Sequence, residues 1–264
     1  MRNRGQLFWG VLLILAGIVF LLGIYFDFNV WQILWPLFII IVGVWILLGA
    51  LIRPEPMETE ALNLPLEGAT AADVLFKYGA GHLFVDGTAG PGDLLSGTFG
   101  GGIRHTERRA GERLEVVLRS PNEVWVWPWS WWSPHTRRWS VGLSPAVPLR
   151  LRLETGALEA HLDLSTLQVQ DLKISTGASS TDVKLPAGAG YTRVKVEAGA
   201  ASVNLEVPPG VAAQIRSEVG LASVDVDQSR FPRAGKVYRS PDYETAENRV
   251  EIFIEGGVGS MSVR

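Results

Sequence analysis

Between Leu149 and Asp227 the chain repeats itself four times. The segments LRLETGALEAHLDLS, LKISTGASSTDVKL, VKVEAGAASVNLEV and IRSEVGLASVDVD align without gaps on Gly156, Gly177, Gly199 and Gly220, spaced 21, 22 and 21 residues apart. Five residues before each glycine stand Leu151, Leu172, Val194 and Ile215; three before stand Leu153, Ile174, Val196 and, out of pattern, Ser217. Six after it stand Leu162, Val183, Leu205 and Val226. Apolar residues two apart with polar ones between have the period of a strand. Each unit therefore reads as strand, glycine, strand. One such unit cannot bury its apolar row alone, so neighbours must stack around a shared interior.

The glycine suits either a tight turn with positive φ or a place where successive coils pass too closely for a Cβ. LPAGAG and VPPGV, between units, carry the proline and glycine of connecting turns. A leucine-rich repeat is the rival reading, but no Asn stands at its ladder position and no helical segment follows. The same signature surrounds Gly79 (Val74, Phe76, Leu83, Val85) and Gly257 (Ile252, Ile254, Met261, Val263). These two are expected to be the first and last coils, leaving an open strand edge at the C-terminal coil.

Ahead of the repeats the composition changes. Residues 7–26 and 30–52 are uncharged apolar runs, each long enough to cross a hydrocarbon layer of roughly 30 Å as a helix. Only Asp27, Phe28 and Asn29 separate them, so 1–53 is expected to be an antiparallel transmembrane hairpin. Arg2, Arg4 and Arg53 flank its ends while the loop holds only Asp27, which predicts both termini and the β-domain in the cytoplasm. Residues 54–68, acidic and proline-containing, read as an extended linker, and 69–264 as the β-solenoid domain. Within it TFGGGIRHTERR and RLEVVLRS, joined at Ala110-Gly111-Glu112, read as a hairpin.

An insert at 123–140 carries six of the ten tryptophans. It reads either as a buried cap on the solenoid or as a contact surface. In the second case Trp131, Trp132 and Trp139, with Arg137 and Arg138, would rest on the bilayer interface or grip a partner, since Trp and Arg are enriched in both settings.

Residues GVLLILAGIVFLLG and WPLFIIIVGVWILL, the latter opening on Trp35-Pro36-Leu37, resemble the LiaI–LiaF-like transmembrane hairpin. The repeats around TGALEAHLDLSTLQVQDLKISTGASSTDVKLP are similar to the toastrack β-domain of LiaF-related bacterial membrane proteins. The resemblance implies envelope-stress signalling, and LiaF itself restrains a membrane sensor kinase. This chain differs in having two spans and in its Trp-rich insert.

The expected class is thus a membrane-anchored all-β protein, with no enzymatic activity, cofactor or metal. Its expected partners are the lipid bilayer, a membrane sensor kinase or other membrane protein, and itself through terminal coils. A net charge of −3 gives no argument for nucleic acid. Two alternatives stand: an extracytoplasmic binding or adhesion module, and a solenoid polysaccharide hydrolase. The latter would need Asp163, Asp182 and Asp225 to supply paired carboxylates from neighbouring coils. The histidines His82, His105, His135 and His161 sit in unrelated segments and form no catalytic motif.

Overall fold

The computed structural model describes residues 35, 36, 38–40, 42–44, 59–121 and 137–264. The described residues between 35 and 44 are helical, and Trp35, Phe38, Ile39 and Ile40 are exposed apolar side chains. Among the described residues no helix is long and apolar enough to cross a membrane. The expected spans at 7–26 and 30–52 lie mostly outside them.

Among the described residues the β-domain contains thirteen strands: β1 (Thr59–Pro65), β2 (Ala71–Asp86), β3 (Asp93–Gly100), β4 (Arg104–Ala110), β5 (Arg113–Arg119), β6 (Arg138–Leu143), β7 (Leu149–Asp163), β8 (Val169–Lys184), β9 (Tyr191–Glu206), β10 (Ala212–Val226), β11 (Arg233–Ala234), β12 (Val237–Arg239) and β13 (Arg249–Val263). The long ones lie parallel and in register in the order β2, β7, β8, β9, β13, β10.

Each repeat is one continuous strand bent at its glycine. In β7 the buried residues are Leu149, Leu151 and Leu153 before Gly156, but Leu158, Ala160 and Leu162 after it. The in-out alternation slips by one residue at the bend. Both arms therefore turn their apolar sides into one core. Its rows run across the stack. Val74, Leu151, Leu172, Val194, Ile252 and Ile215 meet in register, each essentially inaccessible to water. Burying each such side chain contributes about 1.5–3 kcal/mol before the entropy of ordering is set against it.

The glycines are not tight turns. Gly79, Gly156, Gly177, Gly199, Gly220 and Gly257 all lie inside strands, and none has positive φ. What they require is room. A Cβ on Gly156 would lie 2.6 Å from the carbonyl oxygen of Gly79, and one on Gly177 would lie 3.0 Å from that of Gly156. Gly199 repeats this against Gly177 at 3.0 Å, and Gly257 against Gly199 at 2.7 Å. The bends nest so closely that side chains have no place on the ladder.

Three further expectations are corrected. β13 does not end the stack: it lies between β9 and β10, so the fourth repeat forms the last coil and the strand ending at Val263 offers no free edge. The coil around Gly79 is not first either. The first arm of β2 pairs with β5, and its second arm with β6, so Arg113–Arg119 and Arg138–Leu143 make an outer coil. Finally, the linker at 54–68 contains β1, which pairs antiparallel with β3 because Leu62 and Leu64 alternate toward the core.

Candidate functional site

The bends leave each second arm with one polar face toward solvent. Five residues after each glycine stand Phe84, His161, Asp182, Asn204, Ser262 and Asp225, in the spatial order of the coils. Parallel in-register strands bring like positions about 4.8 Å apart, so these side chains meet as a ladder. The Arg138 guanidinium lies 4.8 Å from the Phe84 ring centroid, and Phe84 stacks on His161 at 5.3 Å. His161 Nδ1 faces Asp182 Oδ2 at 3.3 Å, while its Nε2 lies 3.1 Å from Glu159 Oε1. Asn204 Nδ2 donates to Asp182 Oδ1 at 2.7 Å, and Ser262 Oγ donates to Asn204 Oδ1 at 2.7 Å. An open groove of about 760 Å³ runs over this face, and Arg230 and Arg264 also line it.

First arms carry a second polar row. Glu197 is held by Lys195 Nζ at 2.8 Å, Lys173 Nζ at 3.0 Å and Ser175 Oγ at 2.9 Å. The Lys195 ammonium chiefly, then Lys173 and Ser175, lower its pKa from 4.5 to about 2. Lys195 also reaches Glu255 at 3.5 Å, and Lys77 pairs with Glu154 in the same row. Where second arms end, the connecting turns repeat an Asp-x-Ser/Thr cap: Asp86 with Thr88, Asp163 with Ser165, and Asp227 with Ser229. The Ser165 hydroxyl lowers the pKa of Asp163, and the Ser229 hydroxyl that of Asp227.

This geometry does not assemble the carboxylate pair a glycosidase needs. Asp182 and Asp225 share a row but are three strands apart, about 14 Å. That exceeds the separations of roughly 5–9.5 Å such chemistry uses. Asp163 belongs to another row, opposite Lys184, and its carboxylate caps a turn. Both oxygens of Asp182 are already engaged by neighbours in the ladder.

The tryptophan-rich surface divides. Trp139 is not a surface residue: it is fully buried in β6, stacked on Tyr78 at 4.4 Å and edge-on to Phe99 at 5.1 Å. Its alternation in β6 points it into the core opposite Leu83 and Phe99. The Arg137 side chain is half-buried, and its carbonyl accepts the Tyr78 hydroxyl at 2.6 Å and the His82 amide at 2.8 Å. Burial pushes the Tyr78 phenol up to about 12, opposed by the nearby Arg137 charge. Arg138 is exposed and stacks on Phe84. Trp131 and Trp132 lie outside the described residues. Asp182, Asn204 and Asp225 share one offset from their glycines, which sequence reading takes as a solvated polar ladder; what it misses is that His161 sits at the same offset and belongs to the row.

Two family models match the chain. Residues 53–206 match the N-terminal domain of toast_rack (DUF2154), and residues 7–47 match the LiaI-LiaF-like transmembrane region. No curated protein matches it. Among solved structures, a Clostridium sporogenes protein provisionally described as a cell adhesion protein is similar at 20% identity and a TM-score of 0.70. The match covers 78% of this chain and 98% of that one. A Bacteroides fragilis protein provisionally described as an adhesin aligns at 9% identity over 80% of this chain and 100% of its own. Its TM-score is 0.31, too slight to argue from. The Clostridium likeness concerns the fold.

Proposed function

Because the chain belongs to the toast-rack family and carries a LiaI-LiaF-like transmembrane region, we propose that it is a membrane-anchored regulatory or scaffold module acting in the bacterial cell-envelope stress response. It works through protein contacts, without catalysis, and its β-domain lies in the cytoplasm beside a membrane partner such as a sensor kinase. The observation carrying this reading is the joining of those two matched regions in one chain. The polar ladder supports it, since the Asp182 carboxylate is spent on Asn204 and His161 instead of being poised for chemistry. Arg2, Arg4 and Arg53 against Asp27 support the cytoplasmic side.

The insert belongs to the same proposal. Its described flanks, Arg119 opposite Lys77 and Arg138 opposite His82, lie beside the bend of β2, and Thr59 lies opposite Gly100, next to the Phe99 that faces Trp139. On this reading Trp131, Trp132, Arg137 and Arg138 meet the bilayer interface or a membrane partner.

Two measurements test the reading. A fluorescent reporter fused after Arg264 should be active, and an alkaline phosphatase fused there inactive; the reverse result puts the β-domain outside and overturns the cytoplasmic assignment. Deleting the chain should change transcription of envelope-stress genes under cell-wall antibiotics. An unchanged response would remove the regulatory role.

A further inference from the structure

Among the described residues, the β10 end of the solenoid is bare over most of its length. At β10, strand β12 covers only Gln214 and Ile215, so among the described residues Arg216 to Val226 have no strand on their outer side. The interior is open there too. Ser217 replaces the buried Leu153, Ile174, Val196 and Ile254 of the other coils, and Val219 and Val224 are only partly covered. On the bend Leu221 is 86% exposed, beside Val258 at 53%. A solenoid end without a polar cap is a liability, and this strand carries no proline or lysine to deter pairing. The other free edges differ: β4 is RHTERRA, with every side chain exposed and three of them arginine, and β1 ends on Pro65.

We propose that this edge pairs antiparallel with the same edge of a second copy, about a twofold axis at Gly220 and Leu221. Three independent features specify that occupant. The first is backbone polarity. The Ala212 amide bonds Asn248 and the Asp227 amide bonds Val263, so by alternation Ser217, Val219, Ala222 and Val224 turn their peptide groups outward. Setting Ser217 opposite Val224, and Val219 opposite Ala222, pairs outward group with outward group. The second is the bend. A twofold axis along its bisector exchanges the two arms, so inward side chains face inward ones across the joint and both sheets continue into the partner. The third is charge. The same register sets exposed Arg216 opposite exposed Asp225, twice by symmetry. Shifting it to place Glu218 opposite Asp225 would oppose like charges.

The axis also keeps both bends on one side of the dimer. Thr59 lies at the bend rim, so both chains enter their β-domains from the same side, as two copies anchored in one bilayer require. The proposal stands apart from the signalling role, since it concerns the edge of β10 whatever the partner of the membrane region.

The chain has no cysteine, so one can be introduced at a time. In membranes holding the full chain, Leu221→Cys should form a disulfide-linked dimer on mild oxidation, while Ser180→Cys, on the outer face of mid-stack β8, should stay monomeric. In the Leu221→Cys background, Arg216→Asp or Asp225→Arg should each cut dimer yield at least tenfold. The double reversal should restore it to within about twofold, which a variant that merely misfolds could not do. Leu221→Cys crosslinking no better than Ser180→Cys, single reversals without effect, or a double reversal without recovery would each overturn the pairing.

Discussion

Replacing the bend glycines with alanine one at a time should give a graded series set by distance across the stack. An added Cβ on Gly156 comes 2.6 Å from the Gly79 oxygen, and on Gly257 2.7 Å from the Gly199 oxygen. Ordinary C···O contacts are about 3.3 Å or longer, and both partners are backbone fixed by ladder hydrogen bonds. Relief requires prising two coils apart, so each substitution should cost about 2–3 kcal/mol. Gly177 and Gly199, at 3.0 Å, should cost about 1–2 kcal/mol. The two ends of the ladder should behave differently. A Cβ on Gly220 meets its nearest neighbour at 3.4 Å, and one on Gly79 meets nothing within 4 Å among the described residues. With no positive φ to strain, alanine there should be neutral or stabilise by about 0.5 kcal/mol, through a less flexible unfolded chain. For a domain of this size a kilocalorie moves Tm by about 2–4 °C. Thermal unfolding of the full chain in detergent, followed by far-UV circular dichroism, should therefore place Gly156→Ala roughly 5–10 °C below wild type and Gly79→Ala level with it. Equal losses at all six glycines would refute the close-approach argument and return them to a conformational role.

Glu197→Gln should lose about 1 kcal/mol at neutral pH, a figure reduced for solvent screening at this half-exposed site. Its folded pKa is depressed, so the stabilisation is present above 4.5 and fades as pH falls toward 2; urea titrations should show the gap to wild type closing in that window. Tyr78→Phe should cost about 1 kcal/mol, because Arg137 keeps its bond from the His82 amide. The Tyr78 pKa is raised, so its contribution is complete below pH 10 and lost as pH rises through about 12. Ultraviolet titration should show a wild-type tyrosine ionising near pH 12, and that step should be missing in the variant while the raised Tyr191 and Tyr243 still titrate.

Strand period and repeat spacing carried the all-β stack, because burial on one side of a pleated chain leaves a mark at every second residue. What they could not carry was the spatial order of the coils. Val194, Ile252 and Ile215 present nearly identical side chains to their neighbours, so nothing local says that β13 belongs between β9 and β10. The bend glycines show a different limit. A glycine demanded by backbone crowding and one demanded by positive φ look alike until the neighbouring carbonyl is placed. Trp139 was drawn into the surface reading by the tryptophans before it, yet register against Leu83 and Phe99 decided its direction. Nothing in the sequence around His161 marks Asp182 and Phe84 as its neighbours; the register of the coils does.

The placement of β13 has a kinetic consequence. During synthesis β10 is complete well before β13, and its Ile215 and Val226, though not Ser217, repeat the apolar positions that Ile252 and Val263 set against β9. A nascent chain can therefore zip β10 directly onto β9 and must unzip it to admit the later strand. Slowing translation across 227–248 would lengthen the life of that premature pairing, and speeding it would favour direct insertion.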